Sequence, residues 1–179
     1  MRRLLAAVLL ASAAAGSAAA ALDYTRWAHP KGDYSLEYPA DWKRSVGLET
    51  LILHPPGRNG KLVSLNVEKH PLGAKDAATP AAFVEALLKD AQGLRRLDSR
   101  DTVKVGGRDA ERLVFTETKP LKGKLGTMLP GPMTEVVVVV PFGKAYYAAR
   151  LTGVGADFAA ARPEFDRLVS GLKLGKPAR

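Results

Sequence analysis

Three histidines, His29, His54 and His70, are the only side chains of the 179-residue sequence whose ordinary pKa lies near neutrality, which makes them the first candidates for a general base or a metal ligand. A hydrolase triad sets such a base within hydrogen-bond reach of a nucleophile and an orienting carboxylate, and none of the three stands in a motif that does this. The sequence holds no Gly-x-Ser-x-Gly elbow, no Walker loop and no His-Glu-x-x-His pair. Cysteine is absent, which removes thiolate nucleophiles, cysteine-ligated zinc, disulfides and a lipobox lipid anchor together. Reach argues against a metal shared by His54 and His70. In a hairpin turning near Arg58, His70 lies about eight residues further from the turn than His54, or about 26 Å at about 3.3 Å per residue. His29 can approach His70 or Asp33 from an irregular N-terminal segment, but a surface or turn position suits it better. Gly153-Val154-Gly155 has the look of a phosphate-binding turn, yet it lacks the third glycine and a downstream strand to present a ribose-binding acid. It is read as a turn that needs conformational freedom. These absences lead us to expect no enzyme, no catalytic or metal site and no cofactor.

The other concentration of chemistry is the irregular segment from Lys119 to Pro132. There Lys119, Lys122 and Lys124 mingle with Leu121, Leu125, Met128 and Leu129 among glycines and prolines. Cations supply steering and apolar groups supply desolvation, so a segment of this composition can grip a partner surface or an amphiphile. The competing reading is a long strand connection whose leucines fold onto the core.

The elements that must carry these residues are legible from periodicity. Arg2 and Arg3, the apolar run Leu4 to Leu10 and the small residues through Ala21 have the layout of a secretory signal. Ala18 with Ala20, or Ala19 with Ala21, permits cleavage and leaves a chain that begins near Leu22. Leu4 to Ala21 is barely long enough to cross a bilayer and its second half is weakly apolar alanine, so no integral span is expected after cleavage. Tyr34, Leu36 and Tyr38 alternate with polar residues as in a strand, and Pro39 stops it. Glu49 to His54 and Lys61 to Lys69 flank a proline- and glycine-rich turn and form a hairpin, with Val63, Leu65 and Val67 on one face. Thr79-Pro80 opens a helix whose stripe is Phe83, Leu87 and Ala91 with Ala86, closed by Gly93.

Leu94 to Val105 and Arg108 to Lys119, joined at Gly106-Gly107, read as a long hairpin with Leu113 and Phe115 on one face. Val136 to Val140 run without polar alternation, which places that strand at the sheet's centre with both faces covered. Ala145 to Thr152 returns beside it. Phe165, Leu168, Val169 and Leu172 then mark a final helix with Pro163 in its first turn and Phe158 in a separate turn before it. Three strands, a helix, four strands and a helix make an α+β protein, with one mostly antiparallel β-sheet and helices packed against it.

The run Asp33-Tyr34-Ser35-Leu36-Glu37-Tyr38-Pro39-Ala40-Asp41-Trp42 resembles the early strand, Tyr-Pro and Trp signature of the PsbP/Mog1-like superfamily. The hairpin at Gly106-Gly107, the strand with Tyr146 and Tyr147 and the closing helix through Ser170 are similar to that family's layout, over Trp27 to Leu174. The resemblance implies an α/β/α sandwich and non-catalytic binding to other proteins, since the family includes a photosystem accessory subunit and a nuclear-transport cofactor. No functional residue carries over. Physically, Pro39 ends the strand and Trp42 closes one end of the core, so Tyr34, Tyr38, Pro39 and Trp42 are a structural signature.

Without Arg2 and Arg3 the chain has 25 Lys and Arg against 18 Asp and Glu, a formal charge of +7. The cations fall in scattered pairs, such as Lys43 with Arg44 and Arg95 with Arg96, and form no tract suited to nucleic acid. Solvated faces account for them; weak attraction to anionic lipid or an acidic partner is the sharper alternative. The expected organisation is a signal peptide over 1–21, a single domain over 22–174 and a basic tail over 175–179. The expected role is that of a periplasmic or secreted accessory protein, a monomer, that recognises an unidentified envelope protein or an anionic or amphiphilic ligand. A carrier of lipid or another apolar small molecule is the alternative, and an atypical hydrolase the third reading. Intact-mass measurement of the exported protein should find a chain that starts at or beside Leu22; a mass that retains Arg2 and Arg3 would contradict the signal reading.

Overall fold

The structure, a computed structural model, describes residues 22–47, 50–56, 63–75, 78–91, 95–117 and 131–175. In chain order the elements are β1 (Tyr24–Ala28), β2 (Tyr34–Pro39), β3 (Lys43–Val46), β4 (Thr50–His54), β5 (Ser64–Pro71), α1 (Pro80–Asp90), β6 (Arg95–Val105), β7 (Arg108–Glu117), β8 (Met133–Phe142), β9 (Ala145–Val154), α2 (Gly155–Ser170) and β10 (Lys173–Leu174). A seven-stranded sheet runs β3-β4-β5-β9-β8-β7-β6, and a three-stranded sheet runs β1-β2-β10. Every pairing is antiparallel.

The valine run explains the layering. Val136 to Val140 are all buried, and successive side chains point to opposite faces of β8. Val137 and Val139 join Leu113, Phe115, Tyr146 and Ala148 beneath Phe83, Val84, Leu87 and Ala91 of α1. Val136, Val138 and Val140 join Ala149, Leu151 and Leu65 in a second core, which α2 covers with Ala161, Phe165, Leu168 and Val169 and the small sheet with Trp27, Leu36 and Tyr38. The result is an α/β/α sandwich with a core on each side of the large sheet.

Local chemistry sets the ends of the elements. Thr79 Oγ1 accepts a hydrogen bond of 3.1 Å from the Ala82 amide, and Pro80 occupies the first turn where its missing N–H costs nothing. The two-residue turn between β6 and β7 puts Gly106 at φ 53° and Gly107 at φ 80°, the left-handed pair that matches the twist of a hairpin. A Cβ on Gly106 would also come within 3.1 Å of the Leu172 carbonyl oxygen, so that turn lies against the end of α2.

Several expectations change. The sequence implied one sheet, but β2 leaves the large sheet for a small one with β1 and β10. β1 and β3 were not anticipated, because β1 buries only Trp27 and β3 is exposed throughout, which leaves no apolar alternation to read. The valine strand is interior and doubly covered, but β9 holds the middle position. In α1, Ala86 is exposed and Val84 takes the buried place. α2 begins at Gly155, so Pro163 lies in its interior and Phe158 packs from within the helix against the core. Proline there removes the N–H that would bond the Ala159 carbonyl; Ala159 is exposed, and water can take that place. Gly93 and positions 57–62 of the β4–β5 turn lie outside the described residues.

Truncation of the fully buried Phe165 to Ala should cost about 3–5 kcal/mol in urea denaturation, while Ala86→Lys should stay within about 0.5 kcal/mol. A large loss at Ala86 would mean that the α1 stripe is misplaced.

Candidate functional site

The structural signature lies in the seam between the two sheets. Tyr34 and Tyr38 of β2 are buried, and the Tyr34 hydroxyl donates to the Val67 carbonyl of β5 at 3.2 Å. Trp27 and Tyr147 meet Tyr34 edge-on, with ring centroids 5.5 and 5.7 Å apart. The Pro39 carbonyl accepts from the Trp42 amide at 3.0 Å, and this tight turn folds the buried Trp42 into the same core. Such side chains pack; they present no open surface to a ligand.

The histidines are kept apart. Thr50 of β4 stands opposite Glu68, so His70 lies past the end of the ladder furthest from His54. His54 Nδ1 donates to the Val63 carbonyl at 3.2 Å, and the His70 ring stacks on Tyr146 at 4.8 Å. His29 sits at the β1–β2 turn but is only 3% exposed, which corrects the surface half of its expected position. Its Nδ1 approaches Asp33 Oδ2 at 3.2 Å, while Lys69 Nζ holds Asp33 Oδ1 at 2.7 Å. That cluster ties the small sheet to β5. Among the described residues no group of three or more His, Cys, Asp and Glu is arranged to hold a metal ion.

The recognition segment inferred from composition, with Lys119, Leu121, Lys122, Lys124, Leu125, Met128 and Leu129, lies outside the described residues. Its flanks are described: the chain leaves β7 after Glu117 and rejoins β8 at Met133. Both residues line a cleft of about 150 Å³ with Arg95, Phe115, Glu135 and Thr152.

That cleft opens one end of a shelf, formed by β6 and β7 on the α1 side of the sheet. α1 packs over β8, while β6 is exposed along most of its length and forms the sheet's outer edge. Leu97 lies opposite Phe115 and is 39% exposed. The ladder then shifts register between Leu97 and Ser99, and the extra residue brings Arg100 and Thr102 onto the face that Leu97 shares. Beside the start of α1, Pro80, Arg100, Thr102, Glu111, Val139 and Pro141 line a groove of about 560 Å³. Arg100 and Glu111 pair across its wall.

At the upper end of the shelf Glu135, 12% exposed, is shared by two arginines. Arg95 pairs with its Oε2, and Arg150 reaches Oε1 at 3.2 Å. Arg95 lies 4.3 Å over the Phe115 ring and Arg150 5.3 Å over Phe83, so each guanidinium meets an aromatic face as well as the shared carboxylate. Arg150 also acts on Glu68, whose carboxyl is held below the usual carboxylate range, first by its hydrogen bond with His70 and then by the Arg150 charge. Sequence reasoning missed this network because its charged members, Glu68, Arg95, Glu135 and Arg150, come from four strands. The one available signal was Glu135, the only acid in the otherwise apolar and hydroxyl-bearing run from Met133 to Phe142.

No family model matches the chain, and no curated protein matches it significantly. Solved structures do. The three-layer arrangement is the PsbP/Mog1-like fold, as the sequence resemblance implied. Cyanobacterial PsbP (CyanoP) from Synechocystis sp. PCC 6803 superposes with a TM-score of 0.56 at 14% identity, over 89% of this chain and 96% of its own. The Saccharomyces cerevisiae Ran-binding protein Mog1p gives 0.56 at 12% identity, over 87% and 97%. A Bacteroides thetaiotaomicron protein gives 0.55 at 18% identity over 84% of this chain, which spans 48% of that longer protein. Identities this low establish the shared fold.

Because the folded pKa of Glu68 is depressed, its contribution to stability is complete above the usual carboxylate range and is lost as pH falls through the folded value. Glu68→Gln should therefore flatten the acid side of the stability curve, read as urea midpoints between about pH 3 and pH 7. An unchanged acid slope would show that the pairing with His70 and Arg150 adds nothing.

Proposed function

We propose that the protein is a non-catalytic accessory protein of the cell envelope that recognises a protein partner, and that the β6–β7 shelf beside α1 is the surface it uses. The observation that carries this is Leu97, a large apolar side chain left 39% exposed on an edge strand. On the same face of β6, Arg95 and Arg100 stand on either side of it. Arginine is among the residues enriched where binding energy concentrates at protein interfaces, and an exposed leucine beside it adds apolar area for a partner to cover. An outer strand also offers unpaired backbone groups to a partner. The register shift and the dense charge on β6 limit indiscriminate pairing along that edge.

The shared fold supports a role in binding, since Mog1p is by its printed name a Ran-binding protein. The signal-like start of the sequence supplies the envelope location, and residues 22–174 are read as one domain after its removal. The segment with Lys119, Lys122, Lys124, Leu125 and Met128 is included in this reading on its composition, and the described residues before and after it, Glu117 and Met133, both line the shelf's cleft. Its leucines and methionine add apolar area and its lysines add steering.

Crosslinking in the native envelope should capture a discrete partner. Leu97→Ser with Arg100→Glu, and separately Leu125→Ser with Met128→Ser, should each reduce that capture at least tenfold with unchanged melting. Recovery of a free monomer alone, or undiminished capture by both variants, would refute the shelf as the recognition surface.

A further inference from the structure

Basic residues that are scattered along the sequence are gathered by the topology at one end of the sandwich. The β1–β2 turn, the β5–α1 link, the β6–β7 and β8–β9 turns and the segment after α2 all meet there. The Leu72 amide donates to the Lys144 carbonyl at 3.0 Å, joining the link to the β8–β9 turn. Gly175 N–H and the Tyr147 hydroxyl both donate to the Asp33 carbonyl, at 2.6 and 3.1 Å, joining the C-terminal strand region to the β1–β2 turn. Gly106 lies against the Leu172 carbonyl. Among the described residues at this end the carboxylates are Asp33 and Asp109, and each is already bound by a lysine at 2.7 Å, Lys69 and Lys104. Lys75 in the β5–α1 link, Arg108 at the first residue of β7, Lys144 in the β8–β9 turn and Lys173 in β10 are all exposed, with no carboxylate among the described residues in ion-pair range.

Apolar groups stand among these cations. Leu72 is 44% exposed, and Arg108 lies 4.6 Å over the half-buried Phe142 ring. Arg108 and Lys173 flank a cleft of about 210 Å³ walled by Val105, Phe142, Leu172 and Leu174.

We propose that this end docks on an anionic phospholipid surface. The headgroup phosphate sits between Arg108 and Lys173, and Leu72 enters the boundary between headgroup and acyl chain. The four cations come from four separate parts of the chain and stand at the same end as the exposed Leu72, a combination of positive charge and apolar side chain that an anionic headgroup layer complements. The contact is adsorption: among the described residues no helix is long and apolar enough to cross a membrane. It lies at the end of the sandwich where β6 joins β7, whereas the cleft with Arg95 and Glu135 lies where β6 begins, so a docked protein keeps that part of the shelf open.

Vesicle co-sedimentation of the purified protein decides the matter. Binding should be strong to vesicles containing phosphatidylglycerol, weak to pure phosphatidylcholine, and lost at about 0.5 M salt. Each cation removed should weaken it about fivefold, so Lys144→Gln with Lys173→Gln should weaken it about twenty-five-fold. Lys43→Gln with Arg44→Gln, on the exposed edge strand β3, removes the same charge elsewhere and should leave binding within about twofold. Equal losses in both pairs would reduce the effect to net charge and overturn the proposal. So would equal binding to the two vesicle types, or competition by poly-glutamate as effective as by phosphatidylglycerol vesicles, which would assign the surface to an acidic protein. Failure here leaves the β6–β7 shelf untouched, because capture of its partner reads different residues.

Discussion

The structure depends on the need to cover both faces of the β8–β9 pair. Five consecutive valines in β8 and the buried run of β9 cannot meet water on either side without exposing a large apolar area, at about 25 cal/mol per Å². One helix cannot wrap a sheet, so α1 seals one face while α2 and the small sheet share the other. Almost all else follows from where these covers stop. α1 covers Leu113 and Phe115 of β7 but leaves most of the edge strand β6 exposed, and that strip forms the shelf.

The second cover is held on by aromatic packing and one polar clasp. Trp27, Tyr34 and Tyr147 interlock across the seam, and Asp33 receives His29 and Lys69 with its side chain and Gly175 and Tyr147 with its carbonyl. The small sheet therefore docks by a defined orientation and not by greasy contact alone, because hydrogen bonds and charge pairs tolerate little sliding. The same seam uses up the one buried histidine, leaving it a structural part.

Polar chemistry elsewhere is distributed in pairs over the surface. Arg112 with Asp101, Arg162 with Asp166 and Arg96 with Asp98 are exposed neighbours whose contribution to stability is small. Against that background two places differ physically among the described residues: the shelf, where Arg95 and Arg150 share Glu135 and Leu97 stands exposed two residues from Arg95, and the turn end, where Lys75, Arg108, Lys144 and Lys173 have no carboxylate in ion-pair range.

Much of the fold was legible because periodicity and turn chemistry are local. Thr79-Pro80 announced α1, Gly106-Gly107 announced the long hairpin, and the valine run announced a doubly covered strand. The Tyr-Pro and Trp run pointed to the right fold. What failed in the reading was whatever lacked a local pattern: the edge strands β1 and β3 with their polar composition, the extra turns of α2 before Pro163, and the division into two sheets. The candidate surfaces were less legible still. Arg95, Glu135, Arg150 and Leu97 are unremarkable in sequence, and Arg108, Lys144 and Lys173 read as isolated cations, because proximity across strands is a property of register and strand order. Sequence alone determined which side chains must be buried, through alternation and apolar runs. Only the tertiary structure decided which charges would share a surface, since that depends on contacts between residues far apart in the chain.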